Sequence, residues 1–241
     1  MISVLILTKN EEINLPRCLQ SAAWSDDIVV LDDHSDDRTV EIARQAGARV
    51  IVHSAGHELA QRTYSLRSVS FRHPWVYHPD ADEVTPPALR DEMLAVVADR
   101  RRPEVAYRVR FMNIFRGRWI KHASLYPTWV MRLFRPECIH FERTVNLTYL
   151  ADGPVGRLHN HFLHFSFERG MRAWLEKHVH YAYYEALENA RHLRQGRVDW
   201  AGLLTPGDPV RRRAALKQLS FRLPLRPWLR FLYMYVVRGD S

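Results

Sequence analysis

The sequence predicts an α/β fold, with a mostly parallel central sheet that carries helices on both faces. Two patterns favour this fold class. Through the first hundred residues, short unbroken runs of branched apolar residues alternate with stretches of helical periodicity, which is typical of parallel strands joined by crossover helices. After residue 100 the pattern becomes mixed, which predicts a second half of less regular strands. The 241 residues suffice for one such core and a short appendage.

Four strands and three helices are predicted in the first part of the chain. Each strand is a short apolar run, as expected for strands that are buried on both faces. The predicted strands are 3–7, 27–31, 49–52 and 75–77. The predicted helices are 10–23, a helix that Ser35 or Asp36 caps and Gly47 ends, and 59–69.

The remaining chain is predicted to contain two helices and several strands. A helix should run from Pro87 to about Arg101, and apolar residues that alternate over 105–115 indicate a half-buried strand. The other predicted elements are strands at 128–134, 144–150 and 162–167 and a long helix at 170–193. We divide the chain into residues 1–100, residues 101–195 and a C-terminal tail, residues 196–241.

The composition excludes several classes of protein. Apolar and charged residues make up 46% and 26% of the chain, as in a globular domain and not in a disordered chain or a fibre. Two cysteines, Cys18 and Cys138, are too few for a disulfide framework, so we expect a reducing compartment. Only four of the 35 basic residues are lysine, and the net charge is +8. This excess of arginine suits a nucleotide, a nucleic acid or an anionic membrane.

The tail interleaves basic and aromatic side chains. It includes three arginines at 211–213, and Pro224 and Pro227 divide it into short pieces. No stretch of the sequence reaches the roughly 20 apolar residues of a membrane-spanning helix, and its start lacks the pattern of a secretory signal. Basic, aromatic segments that do not span suit the headgroup layer of an anionic membrane. We expect partial membrane contact; packing of these residues on the main domain is the alternative.

Acidic residues follow the predicted strands. Ligands of an open parallel sheet bind beyond the carboxyl ends of its strands. Asp80 and Asp82 follow the fourth strand and flank one small residue. Side chains two apart in an extended segment point to the same side, so these carboxylates could hold Mg²⁺ or Mn²⁺, which completes its shell with substrate phosphates. The sequence thus predicts a metal site and a phosphorylated ligand, with a surface turn as the alternative.

Asp32 and Asp33 end the second predicted strand. They could accept hydrogen bonds from a nucleobase or a ribose, or they could cap the helix that follows. No strand is followed by a G-x-G-x-x-G loop or a P-loop lysine, which argues against a dinucleotide site or a P-loop. His159, His161 and His164 come without the thiolates or helical spacing of a zinc site, and we do not expect zinc.

Three segments, in this order along the chain, resemble family 2 glycosyltransferases of the GT-A fold. They are SVLILTKNEE at 3–12, IVVLDDHSDDRT at 28–39 and DADE at 80–83. GRWIKH at 117–122, RLFR at 132–135 and LHFS at 163–166 are similar to the bacterial branch that builds lipopolysaccharide core or exopolysaccharide. The resemblance covers roughly residues 2–190, and it implies a GT-A-type sheet and a nucleotide-sugar-dependent transferase.

The resemblance also implies roles for particular residues. Residues 1–100 would bind the donor sugar nucleotide, and residues 101–195 would form the acceptor side of the same domain. The donor would be contacted by Thr8, Glu11, Asp32, Asp33, Gln61, Arg62 and Asp80. Asp80, Asp82 and His164 would hold Mg²⁺ or Mn²⁺ on the donor diphosphate, although His164 could also be an ordinary strand histidine.

The implied reaction is an inverting transfer to a lipopolysaccharide or lipid-linked glycan. The metal and arginines would neutralise the charge that builds on the leaving nucleoside diphosphate. An acceptor hydroxyl would attack the sugar carbon from the opposite face while a carboxylate takes its proton. Where the branch commonly has a glutamate, this chain has Leu147. Glu142 and Glu83 are therefore our substitute candidates for the catalytic base.

Other functions compete with this hypothesis. A catalytically weakened or inactive relative that binds a glycan or a partner would fit Leu147. A nucleotidyltransferase also uses paired acids and a metal, but the segment 8–12 lacks the basic or glycine-rich loop that it usually needs. A nucleic-acid partner is not expected, because acids at the strand ends would repel phosphate unless a metal were bound. The expected location is cytoplasmic, at the inner face of a bacterial membrane.

Overall fold

The computed structural model describes residues 1–121, 126–142 and 147–195, together with 199–201, 215–216, 219–220, 222 and 225–232. The chain divides into two compact units, Met1–Leu175 and Glu176–Ser241. The first unit contains the predicted sheet and the predicted site residues.

Helices and strands alternate in the first unit. Its strands are β1 (Ser3–Thr8), β2 (Ile28–Asp32), β3 (Arg49–Val52), β4 (Val76–Tyr77), β5 (Glu83–Val84), β6 (Ala106–Phe115), β7 (Arg118–Trp119), β8 (Trp129–Phe134), β9 (Ile139–Glu142), β10 (Thr148–Ala151) and β11 (Val155–His164). Its helices are α1 (Leu15–Ala22), α2 (Thr39–Gln45), α3 (Glu58–Arg67) and α4 (Pro87–Ala98). A long helix, α5 (Met171–Gln195), begins in this unit and continues into the second, where α6 (Arg226–Leu232) follows.

The central sheet has the strand order β3-β2-β1-β4-β8-β6-β11-β5, and β7 pairs with the end of β6. The strands β3, β2, β1 and β4 are parallel to one another. β8 runs antiparallel between β4 and β6, and β11 is parallel to β6. β9 and β10 form a separate antiparallel pair. This arrangement confirms the predicted α/β class with a mostly parallel central sheet and a mixed second half.

Apolar side chains form a core on each face of the sheet. Successive residues of a strand point to opposite faces, so Val4 and Ile6 pack with α1 and α4, whereas Leu5 and Val29 pack with α3 and β9. Burial on both faces explains why β1 and β2 are unbroken apolar runs. The two cores fix the strand ends, and so fix the loops that follow them.

Two helices begin later than predicted. α1 begins at Leu15 and not at residue 10, because a turn precedes it in which the Glu11 carbonyl accepts from the amides of residues 14 and 15. α2 begins at Thr39 and not near residue 35, because the Ser35 hydroxyl donates to Asp32 (2.5 Å) instead of capping a helix. Polar side chains after β1 and β2 thus shape loops at the sheet edge.

β11 begins at Val155, well before the strand predicted at 162–167. The first half of β11 is polar and exposed on one side, so it lacks the apolar pattern that predicts a strand. Its hydrogen bonding to β6 makes it a strand nonetheless. Residues 165–167 lie beyond its end. The strand predicted at 144–150 is β10, although residues 143–146 lie outside the described part of the chain.

The second unit is described only in part. Its helix α6 exposes large apolar side chains, with Trp228 at 67% and Phe231 at 51% exposure. Most of the predicted tail, including the arginines at 211–213, lies outside the described residues. Within the described residues, no helix combines the length and the hydropathy that crossing a membrane requires.

Asp27 lies just before β2, at the opposite end of the strand from Asp32. Its buried carboxylate accepts from the Ser3 hydroxyl (2.6 Å) and the Arg72 amide (2.8 Å), and Arg49 lies 3.4 Å away. Burial alone would raise the pKa of Asp27, but these hydrogen bonds and the charge of Arg49 together lower it below its usual value. The carboxylate therefore stabilises the folded state.

We expect Asp27→Asn to lower the free energy of unfolding by about 1–3 kcal/mol at pH 7. Because the folded-state pKa lies below the unfolded one, this stabilisation is present above about pH 4 and is lost as the pH falls through the folded-state pKa. Urea unfolding between pH 7 and pH 3 should show the difference between wild type and variant shrinking at the acid end. A difference that stays constant would contradict this; the exposed Asp36→Asn is the control.

Candidate functional site

Polar residues that follow several strands meet at the carboxyl edge of the sheet. Thr8 and Asp32 pair in register at the ends of β1 and β2. Asp80 forms an isolated bridge with Leu7, and Glu83 on β5 pairs with the end of β11. The predicted site residues of these strands therefore lie along one edge, where open parallel sheets bind ligands.

Asp32 is fully buried, and its carboxylate is bonded within the protein. It accepts hydrogen bonds from the Thr8 hydroxyl (2.9 Å) and from the Ser35 amide (2.8 Å) and hydroxyl (2.5 Å). Asp33 is half-buried, and its backbone carbonyl accepts from Lys9 Nζ (2.5 Å). Asp32 thus fixes the loop after β2, while the side chain of Asp33 is partly open to solvent.

Glu11 and Gln61 also bond to neighbouring loops. Glu11 accepts from Asn14 Nδ2 (2.8 Å), and Arg169 Nη1 lies 3.5 Å from its other oxygen. Gln61 on α3 is buried, and its Nε2 donates to the His53 carbonyl (2.6 Å). Both residues stand at the predicted edge, and these contacts hold the loops that surround it.

Asp80 and Glu83 share Arg132, and Asp80 also binds Arg62. Arg132 on β8 donates through Nε and Nη2 to the two oxygens of Glu83 (3.0 and 2.5 Å), and Nη2 also bonds to Asp80. Arg62 on α3 donates to the other oxygen of Asp80 at 3.2 Å. The side chains of Arg62 and Arg132 are only 12% and 9% exposed. The result is a largely buried network, which we call the Arg132 network.

The Arg132 network shifts the pKa values of its acids in opposite directions. Burial raises the pKa of Asp80, but the charges of Arg132 and Arg62 lower it more, so the net pKa lies far below its usual value. Burial, with the Asp80 charge added, raises the pKa of Glu83 to about 7 despite the opposing effect of Arg132. Asp80 is therefore a firmly ionised carboxylate at the sheet edge.

His78 and Tyr149 contact the same arginine, and sequence reasoning missed both. Arg62 Nη1 donates to the Tyr149 hydroxyl (2.5 Å) and lies 3.3 Å from His78 Nδ1. Because an arginine only donates, Nδ1 accepts and the ring proton is on Nε2, a buried atom with no partner among the described residues. Burial and Arg62 hold the pKa of His78 well below its usual value. The place of His78 directly after β4 could have identified it; no motif marks Tyr149.

Asp80 and Asp82 lie in a turn, and the extended segment that we predicted is wrong. The Glu83 amide donates to the Asp80 carbonyl (3.0 Å), as in a β-turn. The two carboxylates consequently have different partners, because Asp80 binds arginines whereas Asp82 Oδ2 lies 3.3 Å from His164 Nε2. Burial lowers the pKa of His164, but its hydrogen bond with Asp82 raises it more, to above its usual value. Asp82 thus favours the protonated, positively charged form of the His164 ring.

Asp82 and His164 fit a divalent cation. His164 Nδ1 lies 2.8 Å from the acceptor Asn113 Oδ1, so a cation that replaced the Nε2 proton would meet a lone pair on Nε2 facing Asp82. Two donors at right angles around Mg²⁺ lie ~3.0 Å apart, close to the separation found here. Within the described residues no three His, Cys, Asp or Glu side chains group into a metal site. A cation here would complete its shell with water and phosphate.

The two candidate bases are Glu83 and Glu142. Glu83 is 1% exposed, and both of its oxygens bond to Arg132. An acceptor hydroxyl would reach it only if that ion pair opened. Glu142 is the last residue of β9, and its side chain lies outside what the structure describes.

A cleft of about 430 Å³ opens beside Asp80, within the range of ligand sites in proteins. Its lining residues are Glu58, Arg62, Asp80, Arg108, Trp129, Val130, Met131, Arg132, Leu147, Thr148 and Tyr149. A larger cavity, of about 610 Å³, lies between α1 and α2 near the start of β2, away from these residues. The predicted acids and their arginines, and not cavity size, therefore identify the candidate site.

Comparison with known proteins identifies the family. A family model described as glycosyl transferase family 2 matches residues 3–167. The chain belongs to glycosyl transferase family 2. The resemblance read from the three sequence segments is thereby confirmed.

Individual relatives match parts of this family 2 chain. An uncharacterized glycosyltransferase of Rickettsia typhi is 31% identical over 149 residues, 61% of this chain and 50% of that protein. The 4,4'-diaponeurosporenoate glycosyltransferase of Staphylococcus haemolyticus is 48% identical over 52 residues, 20% of this chain and 14% of that one. The chain spans about half the length of the Rickettsia relative.

Solved structures share the fold. S. aureus TarS 1–349 in complex with UDP-GlcNAc aligns with a TM-score of 0.50 and 16% identity, covering 100% of this chain and 88% of that chain. A similarity at this identity shows the fold alone, and it confirms the expected GT-A-type architecture.

We expect Arg132→Met to lower the free energy of unfolding by about 3–5 kcal/mol, because Asp80 and Glu83 would lose their shared partner. Chemical unfolding at pH 7 measures this. The double variant Arg132→Met/Glu83→Leu should recover part of the loss, since it removes the buried Glu83 charge as well. The matched control is Arg118→Met on exposed β7; an equal loss in both single variants would refute the importance of the Arg132 network.

Proposed function

We propose that this chain is a metal-dependent, inverting glycosyltransferase that moves a sugar from a nucleoside-diphosphate sugar to a lipopolysaccharide or lipid-linked glycan. The observation that carries the proposal is the Asp82–His164 pair beside the arginine-bound Asp80, at the ligand edge of a family 2 sheet. TarS, which shares the fold, was solved with UDP-GlcNAc, and this supports a nucleotide-sugar donor here.

In this proposal the nucleoside lies over the ends of β1 and β2. Asp32 is buried and bonded to Thr8 and Ser35, so it positions the loop that forms the pocket. The partly open Asp33 is then the acid that faces the base or the ribose. Glu11 and Gln61 border the same pocket through the loops that they hold.

The donor diphosphate would lie between the Asp82–His164 pair and the cleft arginines. Asp82 and His164 would hold Mg²⁺ or Mn²⁺, which supplies positive charge against the leaving nucleoside diphosphate. Arg62 and Arg132 supply further positive charge that Asp80 and Glu83 hold in place. Fixed charges of this kind need little rearrangement when negative charge develops on the leaving group.

The acceptor hydroxyl must also lose a proton. Of the two candidates we favour Glu142, because Glu83 is enclosed and both of its oxygens bond to Arg132. Glu83 then acts by positioning Arg132. A catalytically inactive, glycan-binding relative is the second candidate function, and Leu147 in the cleft wall favours it, because the resembling branch commonly has a glutamate there.

We expect a nucleoside diphosphate and Mn²⁺ together to raise the thermal midpoint, because a ligand of the native state stabilises it, by about 2.7 kcal/mol at 100 times its dissociation constant. The screen uses UDP, GDP and dTDP. Asp82→Asn should remove the dependence on Mn²⁺, whereas the exposed Asp36→Asn should keep it. No shift with any of the three nucleotides would count against the proposal.

Catalysis is tested separately, by release of nucleoside diphosphate from a panel of nucleotide sugars in the presence of a glycan acceptor extract. Asp82→Ala should abolish release, and Glu142→Gln should lower kcat by about 10²–10⁴-fold if Glu142 is the base. Nucleotide binding without sugar transfer would favour the inactive relative instead.

We further propose that the tail contacts an anionic membrane, which would place the protein at the cytoplasmic face. Trp228 and Phe231 of α6 are more than half exposed, and basic residues surround them in the sequence. The protein should co-sediment with vesicles that contain phosphatidylglycerol, more weakly at 0.5 M NaCl and with Trp228→Ser/Phe231→Ser. Equal sedimentation with neutral phosphatidylcholine vesicles would contradict an electrostatic contact.

A further inference from the structure

Three arginines outside the proposed donor chemistry share a face of the sheet with one tryptophan. Arg108 and Arg110 are two residues apart on β6, and Arg157 pairs with Arg108 from the neighbouring strand β11. Trp129 on β8 pairs with Arg110 from the other side. The guanidinium carbons of Arg110 and Arg157 lie 5.9 and 5.3 Å from the centre of the Trp129 ring. Paired residues share a face of the sheet, so these four side chains form one group, the arginine cluster.

The arginine cluster has no acidic partner among the described residues, where the ion pairs involve other arginines. Like charges that face each other on adjacent strands destabilise a sheet. Arg110 donates to the His159 carbonyl, but its buried Nε finds no acceptor among the described residues. A buried, unsatisfied donor is also unfavourable. An anion bound between the guanidiniums would remove the repulsion between them.

The arginine cluster adjoins the proposed transfer site. Arg108 and Trp129 line the same cleft as Asp80. Tyr77 of β4 and Tyr107 of β6 both pair with Leu133 of β8. Asp80 and Arg110 each follow their tyrosine by three residues, so both lie toward the carboxyl edge of the sheet. The cleft therefore runs from the Arg132 network to the arginine cluster.

We propose that Arg108, Arg110 and Arg157 form an oxyanion-binding subsite for the acceptor, and that the acceptor glycan carries a phosphate or carboxylate group near the hydroxyl that reacts. The guanidinium fork binds either group through two parallel hydrogen bonds. Trp129 lies close enough to the Arg110 and Arg157 guanidiniums for cation–π contact. The role of this subsite in binding an acceptor rests on the proposed glycosyltransferase function. Binding of an anion by the three arginines does not require that function.

The test compares binding of glucose 6-phosphate, glucuronate and glucose to the full chain by NMR titration, with and without UDP and Mn²⁺. Both anionic sugars should bind at least about tenfold more tightly than glucose, since charged hydrogen bonds are the strong ones. Arg110→Gln and Arg157→Gln should each weaken the binding of anionic sugars about tenfold and leave the binding of glucose unchanged. Arg110→Lys should retain part of the affinity. Arg101→Gln, at a 91% exposed side chain away from the cleft, is the matched control.

The UDP–Mn²⁺ thermal shift should be the same in Arg110→Gln, Arg157→Gln and wild type, which shows that the variants fold. Equal binding of glucose and glucose 6-phosphate, or equal affinity of wild type and variants, would overturn the subsite. Anion binding through these arginines, with no thermal shift from UDP, GDP or dTDP in the presence of Mn²⁺, would leave the subsite standing and sink the proposed transferase. If the variants lose binding to phosphatidylglycerol vesicles but still bind glucose 6-phosphate as wild type does, a lipid headgroup is the ligand and the acceptor subsite is refuted.

Discussion

The candidate site depends on the ion pairs of Arg132. This residue comes from β8, the strand that runs against its neighbours between β4 and β6, and it bonds to Glu83 and Asp80 at the two ends of one turn. Without it, two carboxylates would repel each other in a partly buried place. With it, the turn is fixed to the sheet, and Asp82 is held beside His164. A cation held by Asp82 and His164, as proposed, would therefore depend on Arg132 for the position of this turn.

Charge is distributed unevenly along the cleft. Near the turn, the arginines are balanced by Asp80 and Glu58. Farther along β6, Arg108 and Arg110 have no such balance among the described residues. A ligand in this cleft would meet the ion-paired Arg62 and Arg132 at one end and Arg108 at the other. In the proposed transferase, this asymmetry would orient donor and acceptor along the cleft.

The sequence was sufficient to place Asp32, Asp80 and Asp82 at one edge, because parallel strands bring their carboxyl ends together. It was not sufficient to find their partners. Arg62 and Arg132 lie 18 and 52 residues from Asp80, and no local pattern marks a contact at such a distance. Helix starts failed for a related reason, since hydrogen bonds such as that from Ser35 to Asp32 compete with capping. The functional roles of these residues, and the division at residues 100 and 195, stay predictions.

The acids at the two ends of β2 make different contacts. Asp27 ties the start of the strand to Ser3 and Arg72, and Asp32 shapes the loop at its finish. Four apolar residues separate the two acids, so a substitution at Asp27 can change the free energy of unfolding without removing a hydrogen bond of the loop after β2. Stability and the shape of the loop after β2 can thus change through separate substitutions.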